Sequence, residues 1–219
     1  MASFRIERSF LKRGINYIAG VDEAGRGALV GPVIAAAVIL PPEFYKGKYP
    51  FWLTEIDDSK SLTPSKREKL KELIFNHALS VGLGGASVRE IEKLNIHRAS
   101  LLAMRRAVSR LLPEPELILI DGELCYLEEI SLPQLAIKAG DRLCKSIAAA
   151  SIIAKVIRDR LMIKLDKICQ GYNFCDNKGY GTKAHFEALK KLGPSPFHRR
   201  NFNLGIDNLK IKRGEKNER

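Results

Sequence analysis

Segments of strand length alternate along the chain with stretches of helical periodicity, and this order restricts the possible folds more than any other feature. Strands are predicted for five apolar segments, at residues 16–21, 33–40, 79–88, 117–120 and 134–138. Helices are predicted for residues 63–78, 96–112 and 143–165. In the last of these, apolar residues recur three or four positions apart and make one continuous stripe. The mixture favours an α/β fold in which helices cover a mixed sheet, rather than a bundle or a sandwich.

The first two predicted strands carry the clearest local signals. Residues 16–21 form a short apolar segment that ends at the charged, glycine-punctuated loop 22–27. Residues 33–40 are continuously apolar, which is typical of a strand buried on both faces. We expect these two strands to pair as an antiparallel hairpin. Thr63 and Pro64 then provide a cap and a first-turn proline for the first long helix.

The composition of the chain changes near residue 171, where Gly, Asn, Lys and aromatic residues become frequent. We therefore expect residues 1–170 to form the main domain and residues 171–219 to form a C-terminal helical segment wrapped on it. That segment is predicted to contain a short helix at 183–191 and a polar tail after residue 209.

The balance of charges points to a polyanionic partner. The chain carries 37 basic and 25 acidic residues, a formal net charge of +12. Such an excess attracts polyanions and favours contacts with phosphate, so a nucleic acid is the expected partner. A protein whose charge merely prevents association is the alternative on composition alone. The four cysteines include no Cys-x-x-Cys pair and no histidine at zinc-ligand spacing, so no zinc or redox motif is predicted.

The N-terminal sequence argues against export. Its first 14 residues mix apolar and charged side chains and lack the hydrophobic centre of a signal peptide. No apolar run approaches the length that spans a bilayer. We expect a cytoplasmic monomer with no membrane partner.

Acidic residues stand at the ends of predicted strands. Asp22 and Asp121 each follow an apolar strand, and Glu23 stands beside Asp22. Asp141 lies between a strand and a helix. Ligands gather at the carboxyl edge of the strands in open α/β sheets, so these carboxylates are expected to converge. Clustered carboxylates repel one another unless a cation joins them, and oxygen ligands suit Mg²⁺ or Mn²⁺, a pair of which could activate water for phosphodiester cleavage.

Each acidic residue also has a structural explanation. Asp121-Gly122 is a common turn dipeptide, and Asp141 is well placed to cap the helix that follows it. Asp22 is harder to explain in this way, because an acidic pair between an apolar strand and two glycines does not suit a plain turn. Adjacent residues of an extended strand point to opposite faces, so Asp22 and Glu23 share a site only if the chain turns or a backbone carbonyl contributes.

The segment Gly25-Arg26-Gly27 follows the acidic pair directly. Its glycines allow the backbone to approach a ligand closely, and Arg26 offers a charge-assisted contact with phosphate or sugar. A scissile nucleotide has to rest at this position if the acidic residues are catalytic.

At this level of detail the sequence resembles the type 2 ribonucleases H, in particular bacterial ribonuclease HII. The resemblance extends in order over residues 20–202. It rests on Ala19 to Gly27 (AGVDEAGRG), Gly31-Pro32-Val33, Asp57-Asp58-Ser59-Lys60, Ile120-Asp121-Gly122, Gly140-Asp141, Ser146 to Lys155 (SIAAASIIAK), Arg158-Asp159, Lys178 to Thr182 (KGYGT) and Gly193 to Arg200 (GPSPFHRR). Agreement of this extent does not arise by chance.

The resemblance implies a ribonuclease H-like fold whose C-terminal helical segment, residues 171–219, contacts substrate. It implies a set of catalytic residues that bind two divalent ions, Mn²⁺ or Mg²⁺, when substrate is present: Asp22, Glu23, Asp121 and Asp141. It implies substrate-binding roles for Gly25, Arg26, Gly27, Lys60, Tyr180 and Arg199. In this family the Gly-Arg-Gly backbone and the tyrosine would recognise the ribose 2′-hydroxyl next to a deoxyribonucleotide, the group that distinguishes RNA from DNA.

The implied activity is endonucleolytic hydrolysis of the RNA strand of RNA–DNA hybrids. It includes cleavage on the 5′ side of ribonucleotides embedded in duplex DNA, which leaves a 3′-hydroxyl and a 5′-phosphate. Ribonucleotide excision repair is the implied setting, and a sliding clamp is a candidate partner. The sequence departs from the family pattern at Ser61, Asn177 and Asn201, where lysine, histidine and serine are common. These departures affect only the expected fine substrate contacts and the metal preference.

Two other classes of function compete with this interpretation. The first is another nuclease of the same fold: a ribonuclease HIII would carry an added N-terminal domain, for which the 21 residues before the acidic pair leave no room, and a transposase relative would not depend on a 2′-hydroxyl. The second is a non-catalytic nucleic-acid-binding module that uses the +12 charge. Such a module has no reason to place acidic residues where they face a polyanion.

The remaining titratable residues are expected to have ordinary roles. The four histidines show no common partner in the sequence and are predicted to be neutral surface or capping residues: His77, His97, His185 and His198. Of these, His198 is the best candidate for a phosphate contact, because two arginines follow it. Lys155, within the longest predicted helix, is expected to extend along the surface into solvent.

Overall fold

The sheet lies at the centre of the fold. The structure is a computed structural model that describes residues 2–123 and 126–205. The strands are β1 (Ile18–Ala24), β2 (Val33–Ile39), β3 (Ser80–Ala86), β4 (Leu117–Asp121) and β5 (Gln134–Ile137), in the spatial order β3-β2-β1-β4-β5. The β3-β2-β1 half is antiparallel, and β1, β4 and β5 are parallel. The predicted mixed sheet and β1–β2 hairpin are confirmed.

Helices cover both faces of the sheet. They are α1 (Arg5–Leu11), α2 (Pro42–Tyr45), α3 (Pro64–His77), α4 (Val88–Val108), α5 (Lys145–Ile168), α6 (Phe174–Asn177) and α7 (Lys183–Leu192). Single 3₁₀ turns occupy Phe51–Glu55 and Gly140–Arg142. The predicted long helices correspond to α3, α4 and α5, and the predicted short one to α7. The segments that form α1, α2 and α6 are too short to show an apolar repeat, and no helix was predicted there.

Capping residues decide where two of the helices begin. Thr63 accepts a hydrogen bond from the Lys66 amide and starts α3, as predicted. Ser87 and Glu90 form a reciprocal capping box that starts α4 well before the predicted start at residue 96. Asn95, with φ of 66°, kinks the helix, and the apolar repeat recognised in the sequence begins after this kink.

The two faces of the sheet pack against different helices. On one face α5 lies over β1 and β2, and on the other α4 lies over β1, β2 and β3. A Cβ atom at Gly20 would lie 2.1 Å from the carbonyl carbon of Ser146. Only glycine at this point of β1 therefore allows α5 to lie directly on the sheet, which brings the polar side chains of α5 to the end of β1.

The C-terminal segment packs on the far end of α5. A third apolar cluster joins Leu29 and Val30, which follow β1, to Met162 of α5 and to Phe174 and Leu189. The proposed domain boundary at residue 170 stays a prediction, and the polar tail predicted after residue 209 lies outside the described residues. Within residues 2–123 and 126–205, the helices are all too short or too polar to cross a membrane.

Candidate active site

A cleft of about 510 Å³ opens at the carboxyl edge of β1 and β4. Its lining includes Asp22, Glu23, Ala24, Gly25, Arg26, Gly27, Ser59, Lys60, Asp121, Asp141, Ser151, Lys155 and Tyr180. The structure thus brings the four predicted acidic residues together, along with every predicted substrate-binding residue except Arg199. Convergence follows from topology, because the parallel strands β1 and β4 end side by side.

The acidic pair lies inside β1 rather than after it. The predicted strand end at residue 21 is wrong: pairing with β2 continues until Ala24 lies opposite Ile34. Asp22 lies beside Ser151 of α5, whose hydroxyl partly opposes the rise in the pKa of Asp22 on burial, whereas Glu23 forms a 3.7 Å ion pair with Arg26. The chain does not turn between the two acidic residues. Both side chains nevertheless line the cleft, although adjacent residues of a strand point to opposite faces.

Asp121 and Asp141 are joined through one backbone group. Asp121 ends β4, and its Oδ1 accepts a 2.6 Å hydrogen bond from the Gly140 amide. This bond holds the 3₁₀ turn that carries Asp141, a residue that is only 8% exposed. Asp141 does not cap α5, since the N-cap is Cys144, whose side chain makes no capping hydrogen bond. The helix-cap explanation of Asp141 is therefore wrong.

The carboxylates repel one another. Burial raises the pKa of Asp22 well above its usual range, and the negative charges of Glu23 and Asp121 raise it further. Burial also raises the pKa of Glu23, which Arg26 partly opposes. The pKa of Asp141 is raised by burial first, then by Asp121 and Asp58. A bound cation would relieve this repulsion.

The donor set fits a hard divalent cation, because all four side chains offer carboxylate oxygens. The side chains are not drawn into a ready-made cluster: across residues 2–123 and 126–205, no three acidic, histidine or cysteine side chains are arranged to hold an ion. Two of the carboxylates accept hydrogen bonds from backbone amides instead. Asp22 Oδ1 accepts from the Glu23 amide at 2.7 Å, and Asp121 Oδ1 is engaged by Gly140.

The Gly25-Arg26-Gly27 loop is held from behind by buried arginines. Gly25 has φ of +97°, and a Cβ atom there would lie 1.9 Å from Arg158 Nε, so this position requires glycine. Gly27 has no heavy atom within 4 Å of its Cβ position, which leaves its backbone open to a ligand. Arg199 is fully buried and donates to the Gly31 carbonyl at 2.9 Å and the Arg26 carbonyl at 3.1 Å. Its predicted contact with substrate stays a prediction, but its observed contacts are with the loop.

Polar residues that the sequence analysis did not select complete the cleft. Ser59 and Ser151 share a 2.9 Å hydroxyl hydrogen bond, which links the Lys60 loop to Asp22. Lys155, expected to point into solvent, lines the cleft, pairs with Asp159 and lies 5.6 Å from the centre of the Tyr180 ring. Ser151 and Lys155 stand four positions apart beside the apolar stripe of α5, and this spacing is the signal that could have identified them.

The prediction for two of the histidines is wrong. His185 and His198 were expected near the surface without a common partner, yet both are buried and their Nε2 atoms are 3.1 Å apart. His97 is exposed, as expected, and its Nδ1 lies 3.2 Å from Arg26 Nη2. The burial of His198 gives it no position from which to touch phosphate directly.

Comparison with known proteins places these residues in a family. The family model described as Ribonuclease HII matches residues 19–204. The Ribonuclease HII of Caldanaerobacter subterraneus subsp. tengcongensis is 50% identical over 196 residues, which are 90% of this chain and 78% of that protein. An RNase HII from Archaeoglobus fulgidus, solved as a PCNA:RNase HII complex, has a TM-score of 0.70 with 25% identity, covering 85% of this chain and 95% of that one. Bst-RNase HIII in complex with Mn²⁺ shares the fold, with a TM-score of 0.64, 19% identity and coverage of 86% and 68%.

The extent of the match is what assigns the family. The matched region begins at the second residue of β1 and ends next to the last described residue, so it includes every strand except the first residue of β1 and every helix except α1. It contains all the predicted site residues. The chain therefore belongs to the ribonuclease HII family and is a metal-dependent endoribonuclease of the ribonuclease H class.

Proposed function

We propose that the enzyme hydrolyses the phosphodiester on the 5′ side of ribonucleotides, both in RNA–DNA hybrids and at single ribonucleotides embedded in duplex DNA, and leaves a 3′-hydroxyl and a 5′-phosphate. One observation carries the proposal: the four carboxylates and the Gly25–Gly27 loop line the same cleft as Tyr180. Groups suited to phosphodiester hydrolysis and groups suited to reading a sugar are thus within reach of one nucleotide.

We infer that Asp22, Glu23, Asp121 and Asp141 hold two divalent ions, Mg²⁺ or Mn²⁺, when substrate is bound. Such ions supply activation of water and neutralisation of the charge on the leaving oxygen. The Mn²⁺ complex of the structurally similar Bst-RNase HIII supports the choice of metal. The protein's part is orientation: the Glu23 amide holds Asp22, and the Gly140 amide holds Asp121.

Recognition of the ribonucleotide falls to the loop and the tyrosine. The open backbone at Gly27 can approach a sugar closely, and Arg26, whose side chain is 47% exposed, can meet a phosphate. Tyr180 presents its ring beside the cations of Lys155 and Arg158, which restrict where the ring can move. Lys60 also lines the cleft and can contact the nucleic-acid backbone. Contacts at the sugar are the ones that can select a 2′-hydroxyl.

The rival functions fit the cleft less well. A non-catalytic module would present buried carboxylates with raised pKa values to a polyanion, which is unfavourable without a bound cation. A DNA-cutting relative would not need a loop and a tyrosine placed at the sugar. We infer a monomer that acts in cytoplasmic ribonucleotide excision repair. A sliding clamp is a candidate partner, since the Archaeoglobus fulgidus relative was solved with PCNA.

The test is cleavage of a DNA duplex that contains one ribonucleotide, with Mg²⁺, with Mn²⁺ and with a chelator, and with the cut mapped to the nucleotide. We expect a metal-dependent cut 5′ to the ribonucleotide and no cut in the matched all-DNA duplex. Cleavage of long hybrids alone would contradict the recognition by Gly25–Gly27 and Tyr180. Equal cleavage of the all-DNA duplex would contradict the role of the 2′-hydroxyl.

A further inference from the structure

A chain of hydrogen bonds crosses the buried C-terminal segment and ends at the backbone of Tyr180. The Ser195 amide donates to His198 Nδ1 at 2.9 Å, and the Ser195 hydroxyl lies 2.8 Å from the same atom. His198 Nε2 lies 3.1 Å from His185 Nε2. His185 Nδ1 lies 2.9 Å from the Tyr180 carbonyl oxygen. We call Ser195, His198, His185 and the Tyr180 carbonyl the histidine relay.

The Ser195 amide and the Tyr180 carbonyl, at the two ends of the relay, determine which ring nitrogen of each histidine carries the proton. An amide N–H can only donate, so His198 Nδ1 must be the acceptor and the proton of this neutral ring is on Nε2. A carbonyl oxygen can only accept, so the proton of His185 is on Nδ1 and its Nε2 is free to accept from His198. Both ends thus require the same arrangement, in which each hydrogen bond runs from Ser195 towards Tyr180.

The surroundings of the relay favour two neutral rings. His198 is 5.1 Å from the ring of Tyr172, and both histidines contact the ring of Phe174. Arg199 follows His198 in the chain, Arg158 and Lys155 flank the Tyr180 ring, and Asp166 accepts a hydrogen bond from the Phe174 amide. A further proton on either histidine would set two N–H groups against each other. Burial accordingly lowers the pKa of both rings.

The relay reaches the cleft through Tyr180. The carbonyl that accepts from His185 belongs to the residue whose side chain lines the site. The same carbonyl accepts from the Thr182 amide at 2.8 Å, and the Thr182 side chain caps α7, the helix that carries His185. A shift of His185 would therefore move the Tyr180 backbone and, with it, the ring.

We propose that His185 and His198 are positioning residues that set the specificity of the enzyme for the ribonucleotide junction by fixing the backbone of Tyr180. Neither histidine touches substrate. The inference rests on the proposed role of Tyr180 at the sugar, but the relay itself can be tested without substrate.

The proton positions can be read directly by NMR of the full chain with ¹⁵N-labelled histidine at neutral pH. We expect His198 as the neutral Nε2–H tautomer and His185 as the neutral Nδ1–H tautomer. A proton on Nδ1 of His198, or a charged ring at either position, would overturn the relay. This outcome does not depend on whether the proposed substrate is correct.

The functional test uses His198→Leu, which removes the relay, and His198→Gln, whose side-chain amide can still donate to His185. His77→Leu, at an exposed histidine on α3, is the matched control. We expect His198→Leu to lower kcat/KM for the single-ribonucleotide duplex by about 10-fold to 100-fold. His198→Leu should lower kcat/KM for a uniform RNA–DNA hybrid by a smaller factor. His198→Gln should recover most of the activity that His198→Leu loses on the single-ribonucleotide duplex. A purely structural role would lower both activities by the same factor.

A double-mutant cycle shows whether the histidine acts through the tyrosine. If it does, His198→Leu should cause little further loss of kcat/KM for the single-ribonucleotide duplex in a Tyr180→Ala background. Fully additive losses would overturn the positioning role. If wild-type enzyme does not cut the single-ribonucleotide duplex, the proposed function fails instead, while the tautomers measured by NMR still test the relay.

Discussion

The two buried histidines should make the stability of the protein depend on pH in a defined direction. Burial, followed by the electrostatic effect of the neighbouring His185 ring, lowers the pKa of His198 from 6.5 to about 4. Between these pH values the unfolded chain binds the proton and the folded protein does not, so the free energy of unfolding falls as the pH falls from about 6.5 to about 4. A pKa difference of this size is worth at most about 3 kcal/mol.

Urea unfolding between pH 7.5 and pH 4.5 measures this contribution. Because the carboxylates of the cleft also titrate in acid, the informative quantity is the difference between wild type and His198→Leu. The variant should be less stable at neutral pH and should lose less stability on acidification. His77→Leu should keep the wild-type dependence, because the relay stays intact. Parallel curves for wild type and His198→Leu would refute the reasoning.

Three substitutions test the packing and the charges around the cleft. Asp121→Asn should abolish metal-dependent turnover, and retained turnover would contradict the assignment. The metal-free variant should unfold at a temperature at least as high as wild type, because the amide oxygen can still accept from Gly140 and one repelling charge is gone. Gly20→Ala should lower the free energy of unfolding, measured in urea, by about 1–3 kcal/mol, because the added methyl group would overlap Ser146. An unchanged midpoint of urea unfolding would show that α5 can move away from the sheet freely. Arg199→Met should lower the free energy of unfolding by about 3 kcal/mol and raise KM, because the Arg26 carbonyl loses a buried donor. Unchanged stability and an unchanged KM would contradict the role of Arg199 in holding the loop.

The burial of carboxylates in the cleft lowers the stability of the fold locally but serves its function. Buried carboxylates with raised pKa values line the cleft, and the fully buried Arg158 and Arg199 do not form ion pairs with them. Arg158 and Arg199 instead donate to backbone carbonyls and so hold the chain at residues 26–32 and at Lys178. The carboxylates thereby remain available for cations. This separation explains how a chain of net charge +12 keeps an acidic centre.

The local sequence alone was enough to predict the strands and helices whose apolar residues are buried in the fold. The apolar runs of β2 and β4 and the stripe of α5 are buried because no other arrangement removes them from water, so their positions could be predicted. Asp121 and Asp141 could be placed at one edge of the sheet, since parallel strands end on the same side. The family motifs named the same residues.

Tertiary structure alone decided the features whose partners are distant in the sequence. A local pattern ends β1 at its first charge, but pairing with β2 carries the strand through Asp22 and Glu23. His185 and His198 look like surface residues because each lacks a neighbour along the chain, and only the packing of the C-terminal segment on α5 sets one imidazole against the other. The physical reason is the same in both cases: the free energy of a buried polar group depends on the partner that the fold supplies, and that partner is not encoded next to it.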